Sequence, residues 1–130
     1  MTSVLLDTHA LYWWASEPHM LGPDALRALG TADDPAVAAI TWWELAWFMR
    51  RGRIKAARPM RAIIASLAGD VRTVALTPAI ATRAAELPDP FPRDPMDRLI
   101  YATAVEQGLR LVTKDGRLHA FDREGVVVVW

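Results

Sequence analysis

The sequence predicts an α/β protein, a three-layer α/β/α sandwich around a five-stranded parallel sheet. Short apolar runs alternate with helical segments along the chain, which is the pattern of βα units. The runs are continuously apolar, as in Ala36-Val37-Ala38-Ala39-Ile40, which suits strands covered on both faces. Right-handed crossovers then place helices on both sides of an open sheet. With 130 residues the chain is expected to be one domain, 1–130, and with 52% apolar residues it can bury a core without staples.

Each element has a local reason. Val4-Leu5-Leu6 is the first strand, and a helix over 9–15 follows until Glu17-Pro18 breaks it. Gly22-Pro23-Asp24 opens a second helix. Asp33-Asp34-Pro35 is a turn into the second strand, 36–40. Thr41 starts a helix to about Arg50, with Gly52 as its stop. A helix over 59–67 ends near Gly69, and 71–76 is the third strand. Thr77 caps a helix over 78–86 with Pro78 at its first position. Residues 87–93 hold three prolines and form a loop. Asp94-Pro95 caps a helix to Gln107, ended by Gly108. Strand four is 109–113, a short helix surrounds Leu118, and strand five is 126–129.

Composition removes several classes of function. With no cysteine there are no disulfides, thiolate zinc sites or cysteine nucleophiles, and a cytoplasmic location is expected. The opening MTSVLLD lacks the pattern of a secretory leader. No apolar run reaches the roughly 18 residues that span a bilayer, so no membrane partner is expected. Lys plus Arg and Asp plus Glu both number 15, so nucleic-acid contact must come from local clustering of charge.

The acids are distributed with more pattern. The crevice of an open α/β sheet lies beyond the carboxyl ends of its strands. Asp7 follows strand one, Glu44 lies near the end of strand two, Asp97 opens the helix leading to strand four, and Asp115 follows that strand. Converging carboxylates repel unless a cation joins them, and an all-oxygen set favours Mg²⁺, with Mn²⁺ able to substitute. Such an ion activates water and neutralises charge on a transferring phosphoryl group, which implies phosphodiester hydrolysis. Each acid also has a local reading. Thr41 to Glu44 matches a capping box. Asp7, Asp94 and Asp97 suit helix starts, and Asp115-Gly116 suits a turn.

These blocks resemble a PIN domain of the VapC toxin type. They are Leu5-Leu6-Asp7-Thr8-His9-Ala10-Leu11, Thr41-Trp42-Trp43-Glu44, Asp94-Pro95-Met96-Asp97-Arg98-Leu99-Ile100 with Ala102-Thr103-Ala104, and Leu111-Val112-Thr113-Lys114-Asp115. The resemblance covers essentially the whole chain. It implies a Mg²⁺-dependent endoribonuclease leaving a 5′-phosphate, a homodimer, and inhibition by a cognate VapB-type antitoxin. Asp7, Glu44, Asp97 and Asp115 match the four family acids, as catalytic groups and metal ligands. Asp94, Thr113 and Thr8 are expected just outside them.

Arg98 and Lys114 adjoin acids and are read as contacts to the scissile phosphate, Arg98 alternatively as a partner of a carboxylate. His9 adjoins Asp7 and is read as touching RNA or as a plain helix-start residue. The acid-free stretch Arg50 to Lys55, with Arg58 and Arg61, is either a solvated helix end or a phosphate contact. Of the adjacent pairs Trp13-Trp14 and Trp42-Trp43, one member each is expected to be the more exposed and to bind a partner.

Two rivals remain at this point. A haloacid-dehalogenase-type phosphatase needs an acid two residues after Asp7, where His9 stands, and a receiver-type phosphoacceptor needs one after strand three, where Thr77-Pro78 stands. A non-catalytic interaction module would have no need of all four acids.

Overall fold

A computed structural model describes residues 3–130; the opening Met1-Thr2, part of the stretch read for a leader, lies outside them. The strands are β1 (Val4–Leu6), β2 (Ala36–Ala38), β3 (Arg72–Val74), β4 (Arg110–Val112) and β5 (Val128–Val129). The helices are α1 (Thr8–Ser16), α2 (Pro23–Gly30), α3 (Ala39–Arg50), α4 (Met60–Asp70), α5 (Pro78–Glu86), α6 (Pro95–Gln107) and α7 (Gly116–Phe121). A single 3-10 turn, Pro18–Met20, follows the break at Glu17.

All pairings are parallel, in the order β3-β2-β1-β4-β5. The chain builds outward from β1 to β3, then returns to the other side of β1 to lay down β4 and β5. The direction of winding therefore reverses between β1 and β4, where Leu5 lies opposite Leu111 and Leu6 opposite Val112.

Strand period sorts the side chains into two cores. Leu5, Ala36, Ala38, Leu111 and Val128 pack with Ile80 and Ala84 of α5, with α6 and with Leu118 of α7. Val4, Leu6, Val37, Val112 and Val129 pack with Ala10 and Leu11 of α1, Ala25 of α2, Leu45 of α3 and Leu67 of α4. Each fully buried Leu contributes on the order of 2 kcal/mol from the area it removes from water. Gly22 has a packing reason to lack a side chain, because a Cβ there would lie 2.6 Å from the Trp130 ring. Gly108 ends α6 in the left-handed region, at φ 66°.

The expected elements are present, with shifted boundaries. Ala39 and Ile40, read as strand, are the first turn of α3. α4 runs through Gly69 to Asp70, since no left-handed residue stops it there. Strands three to five are shorter at their ends than expected. Among the described residues, no helix is long and apolar enough to cross a membrane.

Candidate active site

A cleft of 520 Å³ opens beyond the carboxyl ends of β1 and β4, at the winding reversal. Asp7, Glu44, Asp97 and Asp115 all line it, with Asp94, Thr8, His9 and Lys114 beside them. Trp13, Phe48, Ile100 and Leu118 supply apolar walls and Arg117 a second cation.

Asp7 leaves β1 with its N–H still donating to Val112 of β4 at 3.1 Å. Its Oδ1 accepts from the Ala10 N–H at 2.8 Å and caps α1. Burial pushes its carboxyl up to about 6; hydrogen bonds from the Thr113 hydroxyl and the Ala10 N–H oppose the rise, and the charge of Asp115 adds to it.

Glu44 is the cleanest case for function over capping. Because α3 starts at Ala39, Thr41 lies inside the helix, and the N-cap residue Ala38 makes no side-chain cap. The capping box does not form. Among the described residues the buried Thr41 hydroxyl has no hydrogen-bond partner. Glu44 instead points across to α1 and accepts from the buried Thr8 hydroxyl. Burial raises its affinity for a proton, the Thr8 bond opposes this, and Asp94 and Asp7 reinforce it.

Asp94 caps α6, accepting from the N–H groups of Met96 at 2.8 Å and Asp97 at 3.4 Å. Asp97, in the first turn of that helix, is pushed up to about 6 by burial and then by Asp94, with Arg117 pulling the other way. Asp115 caps α7, its Oδ1 accepting from the Arg117 N–H at 2.9 Å, while its own N–H donates to the Thr113 hydroxyl at 3.1 Å. Hydrogen bonding from Arg117 outweighs burial and holds this carboxyl below its usual range. Asp7, Asp94 and Asp115 thus each cap a helix through one oxygen while lining the cleft, whereas Asp97 lines it without capping.

Thr8, Thr113 and Asp94 sit where expected, beside the four acids. His9 packs between Trp13 and Phe48, with ring centroids 5.4 and 5.1 Å away, and burial favours its neutral form. The ammonium of Lys114 lies over the Trp13 ring at 5.7 Å. Arg98 requires correction. Its guanidinium donates to the carbonyls of Pro92 (3.0 Å), Leu87 (3.0 Å), Ala84 (3.2 Å) and Phe91 (3.4 Å), so among the described residues it pairs with no carboxylate and it does not line the cleft. Adjacent helical residues diverge by about 100°, and the turn that aims Asp97 at the cleft aims Arg98 at the loop over 87–93.

The residue that sequence reasoning missed is Arg117. It reaches back over the first turn of α7 and pairs with Asp97 and Asp115 at 2.8 and 2.7 Å. Its spacing two residues after a capping acid was the available signal.

The donor set suits a hard divalent ion. It is all oxygen, and burial, with smaller contributions from neighbouring acids, makes the ionised forms of Asp7 and Asp97 costly, a cost that a cation would offset. As the side chains lie, no three acidic or imidazole groups among the described residues stand close enough to share one ion.

Comparison with known proteins bears on the family and the fold. The chain is 52% identical, over the full length of both proteins, to Ribonuclease VapC22 of Mycobacterium tuberculosis. In fold it is similar to a chain of a toxin-antitoxin complex from Klebsiella pneumoniae, with TM-score 0.69, 23% identity and 98% and 96% of the two chains covered. It is equally similar to one from DNA-bound VapBC of Salmonella typhimurium, with TM-score 0.69, 22% identity and coverage of 99% and 98%. The family model described as the PIN domain matches residues 4–124, a span holding all four acids and every strand that frames them except β5, and the chain belongs to that family.

Proposed function

We propose that the chain is a Mg²⁺-dependent endoribonuclease and the toxin of a VapBC-type toxin–antitoxin pair. The observation that carries this reading is the meeting of Asp7, Glu44, Asp97 and Asp115, from four separate stretches, in one cleft at the winding reversal. The full-length likeness to a ribonuclease of the VapC type supports RNA as substrate.

Asp7, Glu44, Asp97 and Asp115 would hold the ion, with Mn²⁺ an acceptable replacement. When bound, a divalent ion there supplies a Lewis acid for phosphoryl oxygens and acidifies water. The chain's residues do the positioning. Thr8 fixes Glu44, and Thr113 fixes both the Asp7 carboxyl and the Asp115 backbone. Lys114 offers a charge for a phosphate, and neutral His9, exposed at the rim between two aromatic rings, offers ring nitrogens to RNA. The Trp13 and Phe48 walls exclude water from one side of the cleft.

In this reading the protein acts in the cytoplasm on RNA and is silenced by a separate VapB-type antitoxin. It also self-associates, covering the exposed Trp43–Trp47 pair of α3, whose rings stack at 5.5 Å.

The experiment is cleavage of a structured RNA with Mg²⁺, with chelator, and by Asp7→Asn and Asp97→Asn proteins shown to be folded. Cleavage should vanish with chelator and fall by at least about a hundredfold in each variant. Wild-type rates in both variants would overturn the assignment of the site; undiminished cleavage in chelator would overturn the metal.

A further inference from the structure

Arg117 sits where a cation joining two of the acids would sit. Its Nη2 donates to Asp97 Oδ2 at 2.8 Å and to Asp115 Oδ2 at 2.7 Å, and its Nε donates to Asp115 Oδ1 at 3.2 Å. One nitrogen thus bridges carboxylates brought by α6 and by the end of β4. A Mg²⁺ ion joining these two oxygens would lie about 2.0–2.1 Å from each, in the space between them that Nη2 occupies, so ion and guanidinium compete for that position. Among the described residues no three acidic or imidazole groups stand close enough to hold one ion while the guanidinium is in this place.

The guanidinium is also free to leave. The Arg117 side chain is 61% exposed, so solvent can hydrate the guanidinium as it leaves the carboxylates. A side chain released from two carboxylates needs another anion, and a phosphodiester is the partner that guanidinium geometry fits best.

We propose that Arg117 is a built-in counter-cation that competes with the divalent ion for Asp97 and Asp115 and transfers to a substrate phosphate, so that metal and RNA bind cooperatively. The inference rests on the nuclease reading and adds a positioning residue to it. Without RNA the guanidinium keeps the acids apart and metal uptake weak. With RNA it moves onto the phosphate and the acids turn to the ion. Linkage makes the effect reciprocal, so metal tightens RNA binding by the same factor.

The test is calorimetric titration of Mn²⁺ into the wild-type chain and into Arg117→Ala and Arg117→Lys. Each is measured with and without a 2′-O-methyl phosphorothioate oligonucleotide, which resists cleavage. Without oligonucleotide, Arg117→Ala should bind Mn²⁺ about tenfold tighter than wild type, with Arg117→Lys between them. The oligonucleotide should tighten wild-type binding by about fivefold or more and leave Arg117→Ala nearly unchanged. Equal or weaker Mn²⁺ binding by folded Arg117→Ala overturns the competition. Equal tightening of both proteins by oligonucleotide overturns the transfer. If no protein takes up Mn²⁺ under either condition, the nuclease reading fails and takes the proposal with it.

Discussion

Asp7 shows how one carboxylate serves fold and site together. One oxygen caps α1, so the group cannot leave the protein, yet burial makes its ionised form costly. Asp7 and Asp97 both hold their proton up to about 6, against 3.8 for a free aspartate. Between about pH 4 and pH 6 these two carboxyls therefore bind more protons in the folded chain than in the unfolded one, outweighing the opposite and smaller effect of the single lowered imidazole, His9. Stability should fall as pH rises through that window, opposite to the behaviour of salt-bridged acids. Metal-free protein should melt at a higher temperature at pH 5 than at pH 7, and Mn²⁺ should raise the melting temperature more at pH 7. Thermal scans at the two pH values check this; higher stability at pH 7 without metal would contradict it. That Asp7 and Asp115 face this rim was legible in the sequence because a residue just past a strand end has few places to point; Glu44 and Asp97 reach it from helices α3 and α6. Arg117 was not legible, because its reach back across the cleft depends on where β4 sets α6 against α7. Arg98 was misread because adjacency in sequence on a helix means divergence in space.

At the scale of elements, the instructive boundary is that between β2 and α3. Read as a chain, Thr41 through Glu44 is a capping box; in the fold the helix begins two residues earlier, and Glu44 is free to reach Thr8. Breaking that contact with Thr8→Val should leave the chain folded and lower cleavage by about tenfold, since it unfixes one acid of four. Full activity in folded Thr8→Val would show that the bond does not position Glu44. Arg98 makes the opposite prediction. Its four carbonyl acceptors lie at the end of α5 and in the proline-bearing loop before α6, so its role is to tie these segments together. Arg98→Ala should cost about 2–4 kcal/mol in chemical denaturation while keeping cleavage per folded molecule near wild type. Loss of activity without loss of stability would return Arg98 to the cleft. Caps such as Thr77 and Asp94 were legible because cap chemistry is local. Strand ends were not, because ladder partners decide where a strand stops.

For the whole molecule, alternating βα units gave the layer architecture, whereas the strand order and the placement of the reversal emerge only once both cores are packed. That reversal gathers acids as far apart in the chain as Asp7 and Asp115. The molecule also presents a stacked Trp43–Trp47 pair, 56% and 42% exposed, beside the cation of Arg51 at 4.6 Å. Contiguous aromatic surface of this kind marks a contact face. Trp42, the inward neighbour, donates to Thr73 at 2.9 Å, so the expected division of that adjacent pair is present. Trp13 and Trp14 are both only partly buried. The proposed self-association through this face predicts a wild type that sediments as a dimer and a Trp43→Ser, Trp47→Ser double variant that sediments as a monomer, with its melting temperature little changed. An unchanged dimer would place self-association elsewhere. The central claim is that acids from remote parts of the chain hold a divalent ion at this rim. Anomalous diffraction from crystals grown with Mn²⁺ tests it most directly. The account predicts a manganese peak in contact with Asp7 and with at least one of Glu44, Asp97 and Asp115. A saturated crystal with no peak in the cleft, or with manganese bound only at other carboxylates, would contradict it.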